Sequence, residues 1–117
     1  MVRMSNLILT GFMICRTLEE ADRVAGLLPA HIQFTRAEPG CLVFEVVRSM
    51  SDPVRFAVRE IFATKVDFVA HQMRMKDTIW TRATQGIPRD YVLTEGGKVR
   101  GTLSAAPWSD RTSFNCR

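Results

Sequence analysis

Cysteine is scarce and unpaired. Cys15, Cys41 and Cys116 form an odd set with no CxxC spacing, which excludes a disulfide framework and a zinc knuckle and suits a reducing, cytoplasmic setting. Long hydrophobic runs are missing too. The apolar run Leu7–Cys15 follows Arg3 and imitates a secretion signal. It is nevertheless too short to cross a bilayer, no small-residue cleavage site follows it, and a charged helical segment begins at once. It is expected to be a first strand buried on both faces, and no membrane is expected as a partner. The chain has no internal repeat, glycine-rich phosphate loop, metal-spaced cluster or nucleophile elbow, so nucleotide, zinc and hydrolase chemistry lack a motif.

Charge of one sign is not concentrated either. The net charge is +4, yet residues 1–96 carry 12 basic against 11 acidic groups, and Lys98, Arg100, Arg111 and Arg117 outnumber only Asp110 thereafter. The basic residues stand singly, without the stripe and interleaved aromatics that neutralising a row of phosphates requires, so nucleic acid is not expected as a partner. What is present is an ordinary globular mixture, 46% apolar and 24% charged over 117 residues. That length suffices for one core, burying roughly two-thirds of the unfolded surface, and not for two.

Thr17-Leu18-Glu19-Glu20 has capping-box spacing: the Thr17 hydroxyl can take the Glu20 amide while the Glu20 carboxylate returns to the Thr17 amide. In the helix that follows, Leu18, Ala21, Val24, Ala25, Leu28 and Ile32 recur at three and four and form one apolar stripe. Pro29 predicts a kink or a restart, and the helix must end before Glu38-Pro39-Gly40. Residues 41–50 and 54–63 read as a hairpin turning at Ser51-Asp52-Pro53. Centring the turn on Asp52 pairs Phe44 with Glu60, Glu45 with Arg59, Val46 with Val58 and Val47 with Ala57. Leu42, Phe44, Val46, Phe56, Val58 and Phe62 then face the helices. Cys41, Val43, Val47, Ala57 and Ile61 surround the Glu45/Arg59 pair on the other face, more apolar area than a solvated face leaves open. A second copy of the same sheet is the expected cover, giving a two-fold homodimer.

Thr64-Lys65-Val66-Asp67 caps a second helix running toward Met75, with a continuation over Lys76 to Thr84, and Arg89–Thr94 reads as a last short strand. The fold class is therefore α+β, of ferredoxin-like βαββαβ order, with a four-stranded antiparallel sheet. The domain is assigned to residues 1–95. Residues 96–117, with Trp108 and Phe114 as anchors, are expected to form a flexible or dimer-wrapping tail.

Glu38-Pro39-Gly40-Cys41-Leu42 leading into Phe44-Glu45-Val46, preceded by His31 and Thr35-Arg36-Ala37, resembles the hallmark of the antibiotic biosynthesis monooxygenase domain. The resemblance continues through Asp52-Pro53, Arg55-Phe56, Arg59-Glu60-Ile61-Phe62 and Ala70-His71, over roughly residues 5 to 94. It implies dimers of ferredoxin-like subunits sharing a dimeric α+β barrel, each with a small apolar pocket between sheet and helices. The chemistry it implies is insertion of oxygen from O2 into quinol-like or polycyclic phenolic molecules, with no metal or flavin cofactor. Phe62 stands where many members have tryptophan, and Met75 and Lys76 where many have a second histidine, so the haem-degrading branch, matched only at Asn6 and His71, is disfavoured.

Such chemistry needs a base, an apolar cavity and donors for a developing anion, because O2 reacts slowly with closed-shell organic molecules unless they are first made electron-rich anions. Glu60 is the polar anomaly of the helix-facing side, placed beside Phe44, Val58 and Phe62. His71, three residues after Phe68, is the leading base, and His31 is assigned to the helix surface. Tyr91, Trp80, Phe12 and Phe34 are expected to wall a pocket for a flat ring, with Phe44 and Phe62 beside Glu60. Asn6 or Arg59 is expected to donate to an oxygen, and Met13, Met73 and Met75 to fill gaps. Two other readings stay open: a non-catalytic dimer that binds a small apolar metabolite, and an isomerase on the same scaffold.

Overall fold

In the computed structural model, which describes residues 5–103, Thr17 and Thr64 each accept the amide three residues on, from Glu20 at 3.0 Å and from Asp67 at 3.2 Å. The expected anchors Trp108 and Phe114 lie outside the described residues. The reciprocal half of the first box differs from expectation. The Glu20 carboxylate takes the Arg16 amide at 2.8 Å and the Arg16 guanidinium, one residue earlier than the Thr17 amide, because the arginine adds charge to the bond.

The elements run β1 (Leu7–Ile14), α1 (Leu18–Arg36), β2 (Cys41–Arg48), β3 (Arg55–Phe62), α2 (Lys65–Met75), α3 (Ile79–Thr84), β4 (Arg89–Glu95) and β5 (Lys98–Leu103). Pro29 lies inside a continuous α1 instead of restarting it. The segment after Met75 is not a continuation of α2 but a separate six-residue helix, opened by Thr78, whose hydroxyl accepts the Thr81 amide at 3.2 Å.

The sheet is antiparallel in the order β2-β3-β1-β4-β5, the split-βαβ arrangement with one strand added. Five strands replace the expected four. β5 falls inside the segment read as tail and pairs with β4 across Gly96 and Gly97. The hairpin register is the one expected, with Phe44 opposite Glu60, Glu45 opposite Arg59, Val46 opposite Val58 and Val47 opposite Ala57. A bulge between Cys41 and Val43 breaks it at one end. Cys41 pairs with Phe62 and packs on the core, while Leu42 is 56% exposed instead of facing the helices. The turn before β2 depends on Gly40 (φ 82°), where a Cβ would lie 2.1 Å from the Asp67 carboxyl carbon.

Helices cover one face of the sheet, and β1 is therefore buried on one face rather than both. Two apolar clusters lie under the helices. Leu7, Leu9, Val58, Phe62, Phe68, Tyr91 and Leu93 form the first; Met13, Cys15, Ala21, Val24, Leu28, Phe56 and Ile87 form the second. Gly11, on the core-facing parity of β1 between Leu9 and Met13, belongs to neither. A Cβ there would sit 2.0 Å from the Asp90 carbonyl oxygen and 2.9 Å from Tyr91 Cδ1, so glycine is what lets the Tyr91 ring lie across β1. Among the described residues nothing covers the opposite face of the sheet. That face shows Val47 at 62% exposure and Phe12 at 38%, around a Glu45–Arg59 pair 3.6 Å apart.

Candidate active site

Core-facing parity on β2, β3 and β4 brings Phe44, Glu60, Tyr91 and Arg89 to one cavity near the two apolar clusters, closed on the helix side by His31 of α1, Met75 of α2, and Trp80, Thr81 and Thr84 of α3. Met13, Val46, Val58 and Gln85 complete the wall. The cavity measures about 40 Å³.

Its polar end is charged chemistry set in apolar surroundings. Glu60 is buried, and among the described residues no hydrogen bond or ion pair reaches its carboxyl. Burial pushes its pKa up to about 8, against the pull of Arg89 and with a further push from Glu38. Arg89 is buried and occupied: Nη1 donates to the carbonyls of Thr84 at 3.0 Å and Ile87 at 2.9 Å, and Nη2 to Thr84 Oγ1 at 3.0 Å. It also hydrogen-bonds Tyr91, whose phenol burial holds above its ordinary range. Arg89 thus ties the C-terminal end of α3 to β4 and leaves a fixed cation beside a carboxyl poised near neutrality.

His31 closes the other end. Its ring stacks on Trp80 at 4.2 Å with planes 6° apart and meets Phe44 edge-on at 5.3 Å. Burial, with a smaller contribution from His71, lowers its pKa to about 3, so it is neutral throughout the physiological range. The assignment of His31 to the helix surface is corrected. α3 lies over that surface, so a histidine on the flank of the α1 stripe becomes a cavity wall.

His71 is fully buried but does not line the cavity. Its Nδ1 lies 2.8 Å from Glu38 Oε1, which also receives Arg74 Nη1 at 3.3 Å, and its Nε2 is buried without a partner among the described residues. A carboxylate at Nδ1 fixes the tautomer that leaves Nε2 as an acceptor. The ring is packed between Phe62, at 5.0 Å, and Phe44, at 5.9 Å. Burial lowers its pKa, while Glu38 works in the opposite direction.

Of the expected site residues, the structure brings together Glu60, Phe44, Trp80 and Tyr91, with His71 and Phe62 behind Phe44. Phe34, 73% exposed, borders a separate outer groove. Phe12 is corrected: its parity turns it to the uncovered face, where the Arg55 guanidinium lies 4.8 Å from its ring centroid. Asn6 is exposed at the start of β1 and lines neither space, and Arg59 pairs with Glu45 on the far face. Met13 and Met75 fill the wall, whereas Met73 is exposed.

Arg89, Glu38 and Gly11 were not foreseen as site residues. Arg89 had a signal, since it shares parity with Tyr91 and Leu93 and is a charge at a core-facing strand position. Glu38 had none in the local pattern, because its partner lies 33 residues away.

Among the described residues no group of three side chains could hold a metal ion, and no helix is long and apolar enough to cross a membrane. Residues 17–74 match the family model described as antibiotic biosynthesis monooxygenase. No curated protein matches the chain. Among solved structures, a candidate antibiotic biosynthesis monooxygenase from Nitrosomonas europaea is 20% identical, covering 83% of this chain and 95% of its own, with a TM-score of 0.69. One from Deinococcus radiodurans is 23% identical, over 79% and 93%, with a TM-score of 0.62. A conserved protein from Methanosarcina mazei is 15% identical, over 81% and 94%, at 0.65. Likeness at this identity speaks for the fold.

Proposed function

The chain belongs, through residues 17–74, to the antibiotic biosynthesis monooxygenase family, and on that premise we propose a cofactor-independent monooxygenase that oxidises a quinol-like or polycyclic phenolic small molecule with O2. The observation that carries this reading is Glu60: a buried carboxyl without a hydrogen-bond or ion-pair partner among the described residues, open to the cavity, beside Arg89 and Tyr91. A phenol near pKa 10 lies about 6 units above an ordinary carboxylate, roughly 8 kcal/mol uphill for proton transfer. Against a group at about 8 the gap is about 2 units, roughly 3 kcal/mol.

Glu60 takes the phenolic proton. The phenolate passes one electron to O2, the two radicals join at a ring carbon bearing hydrogen to give a peroxide anion, and Glu60 returns its proton to make the hydroperoxide. Loss of water leaves a carbonyl there, so one oxygen atom stays on the ring and the other departs as water. The Arg89 guanidinium and the Tyr91 hydroxyl carry the negative charge that passes from phenolate to oxygen. His71, whose Nε2 has no partner among the described residues and lies behind Phe44, is the second proton acceptor, reached when Phe44 yields.

Oxygen uptake by metal-stripped protein given naphthalene and anthracene hydroquinones, corrected for autoxidation with heat-denatured protein, tests the reading. Uptake that survives metal removal is expected. Background uptake alone would favour a binding dimer or an isomerase, the latter marked by substrate conversion without oxygen consumption.

The uncovered sheet face, with Phe12, Val43, Val47, Ile61 and Val92 around the Glu45–Arg59 pair, supports a homodimer joined sheet to sheet. Light scattering on the eluting protein is expected to give twice 13.3 kDa. A monomer at micromolar concentration would remove the dimer. The free thiols Cys15 and Cys41 favour the cytoplasm as its setting.

A further inference from the structure

Outside the cavity lies a second, larger space. A groove of about 460 Å³ runs between α1 and the α2–α3 segment, lined by Leu27, Ala30, Phe34, Thr35 and Ile79 with Glu38 and Arg74 at one side. His31, Met75 and Trp80 line both spaces. The two volumes differ in what they hold. The inner one, about 40 Å³, has room for a few waters or a diatomic molecule and for no aromatic ring. The outer one is in the range of small-molecule pockets and takes several fused rings.

A ring in the outer groove cannot bring a hydroxyl to Glu60 while the His31–Trp80 stack stands between them. Something in that wall must move. His31 is held in the middle of α1 and against Phe44. Trp80 is in the first turn of the short α3, whose far end is tied to β4 by the three Arg89 bonds to Thr84 and Ile87, while its near end bonds within its own segment, Thr78 Oγ1 to the Met75 carbonyl and Arg82 Nη1 to the Asp77 carbonyl. Next to Trp80, Ile79 is exposed and the Thr78 cap faces solvent. Of the two stacked rings the indole, though packed against the second cluster, is therefore the one carried by the less anchored element.

We infer that Trp80 is the specificity-determining residue of this site and occupies, flat against the His31 ring, the place of a ligand's leading aromatic ring. The ligand class is a flat, fused-ring phenol with its hydroxyl on the terminal ring. That ring replaces the indole on His31 and points its oxygen through the opening to Glu60, while the remaining rings stay in the outer groove. A hydroxyl on an inner ring does not reach. This inference rests on the proposed function for the chemistry at Glu60 and not for binding.

The test is binding of 2-naphthol, which is stable in air, followed by calorimetry and by ¹⁹F resonance of 5-fluorotryptophan in a Trp108→Phe background that leaves Trp80 as the single reporter. If Trp80 competes for the ring position, Trp80→Ala binds 2-naphthol about tenfold tighter than the parent protein. The Trp80 resonance then moves at saturation to a solvent-exposed position. If Trp80 is an ordinary wall on which the ligand stacks, Trp80→Ala binds more weakly, and the inference is overturned. An unmoved Trp80 resonance at saturation, or no binding by either protein, overturns it as well. The resonance experiment keeps Trp80 in place and decides the matter even if Trp80→Ala is poorly folded. Binding with the expected signs in a protein that takes up no oxygen would leave this inference standing and remove the monooxygenase reading instead.

Discussion

Glu60→Gln is expected to lower kcat/KM by a factor of about 10² to 10⁴, the usual contribution of a positioned proton acceptor, while making the folded protein more stable at pH 8. The two effects have one origin. Glu60 has a pKa of about 8 in the folded chain against 4.5 for the ordinary group, and burial is the main cause. Between those values the folded state holds a proton that the unfolded state has released, so stability is fully present below about pH 4.5 and falls as pH rises through 8. Each pH unit in that window costs about 1.4 kcal/mol, summing to a few kcal/mol. Glutamine has the same shape and no charge to desolvate, so its advantage over the parent should be near zero at pH 4.5 and largest above pH 8. Urea unfolding at three pH values measures it. In parallel, kcat/KM of the parent protein should climb with pH until about 8 as the carboxylate forms, and the variant should lack that limb. A variant that keeps full turnover, or whose relative stability is the same at pH 5 and pH 8, would take the role from Glu60.

Arg89→Leu should be the most damaging single change to the fold among the site residues. The guanidinium serves three acceptors on the α3 side and hydrogen-bonds Tyr91, from a position only 5% exposed to solvent. Leucine fills much of the space and leaves those acceptors unmet, an expected loss of about 3 to 5 kcal/mol in unfolding free energy. Arg89→Lys retains the charge but offers a point donor in place of a planar fork, so it should recover only part of that loss. The arginine is also what holds the Glu60 pKa down. In Arg89→Leu, which removes that charge, the rising limb of the pH profile should therefore move above 8, whereas Arg89→Lys should keep it near the parent position. Parent-like unfolding midpoints in both variants would show that α3 is anchored by other contacts.

The hairpin register was legible because a two-residue alternation and a polar turn leave one pairing that puts Phe44, Val46, Val58 and Phe62 on one face. The bulge at Cys41–Val43 was not, since one extra residue costs little in pattern and is selected by how β2 meets α1 and Gly40. β5 carried a signal in Glu95-Gly96-Gly97-Lys98, a two-residue glycine turn, masked by the polar Lys98-Val99-Arg100-Gly101 that follows. Glu60 stood out as a carboxylate on an apolar face, and Arg89 obeyed the same rule unnoticed. For Phe12 strand parity decides over aromatic character and turns the ring to the outer face, beside Arg55.

The order of elements from β1 to α2, the two threonine caps, the hairpin pairing and the presence of a carboxyl under the helices are consequences of periods and spacings within a few residues, and the chain alone determines them. The site is different in kind. His31 against Trp80, Arg89 against Thr84 and Tyr91, and Glu38 against His71 join groups carried by different elements. Their distances follow from how α1, α2 and α3 settle on the sheet. The pKa values that make Glu60 a usable base and His31 a neutral ring arise from burial, which no residue has by itself; packing confers it.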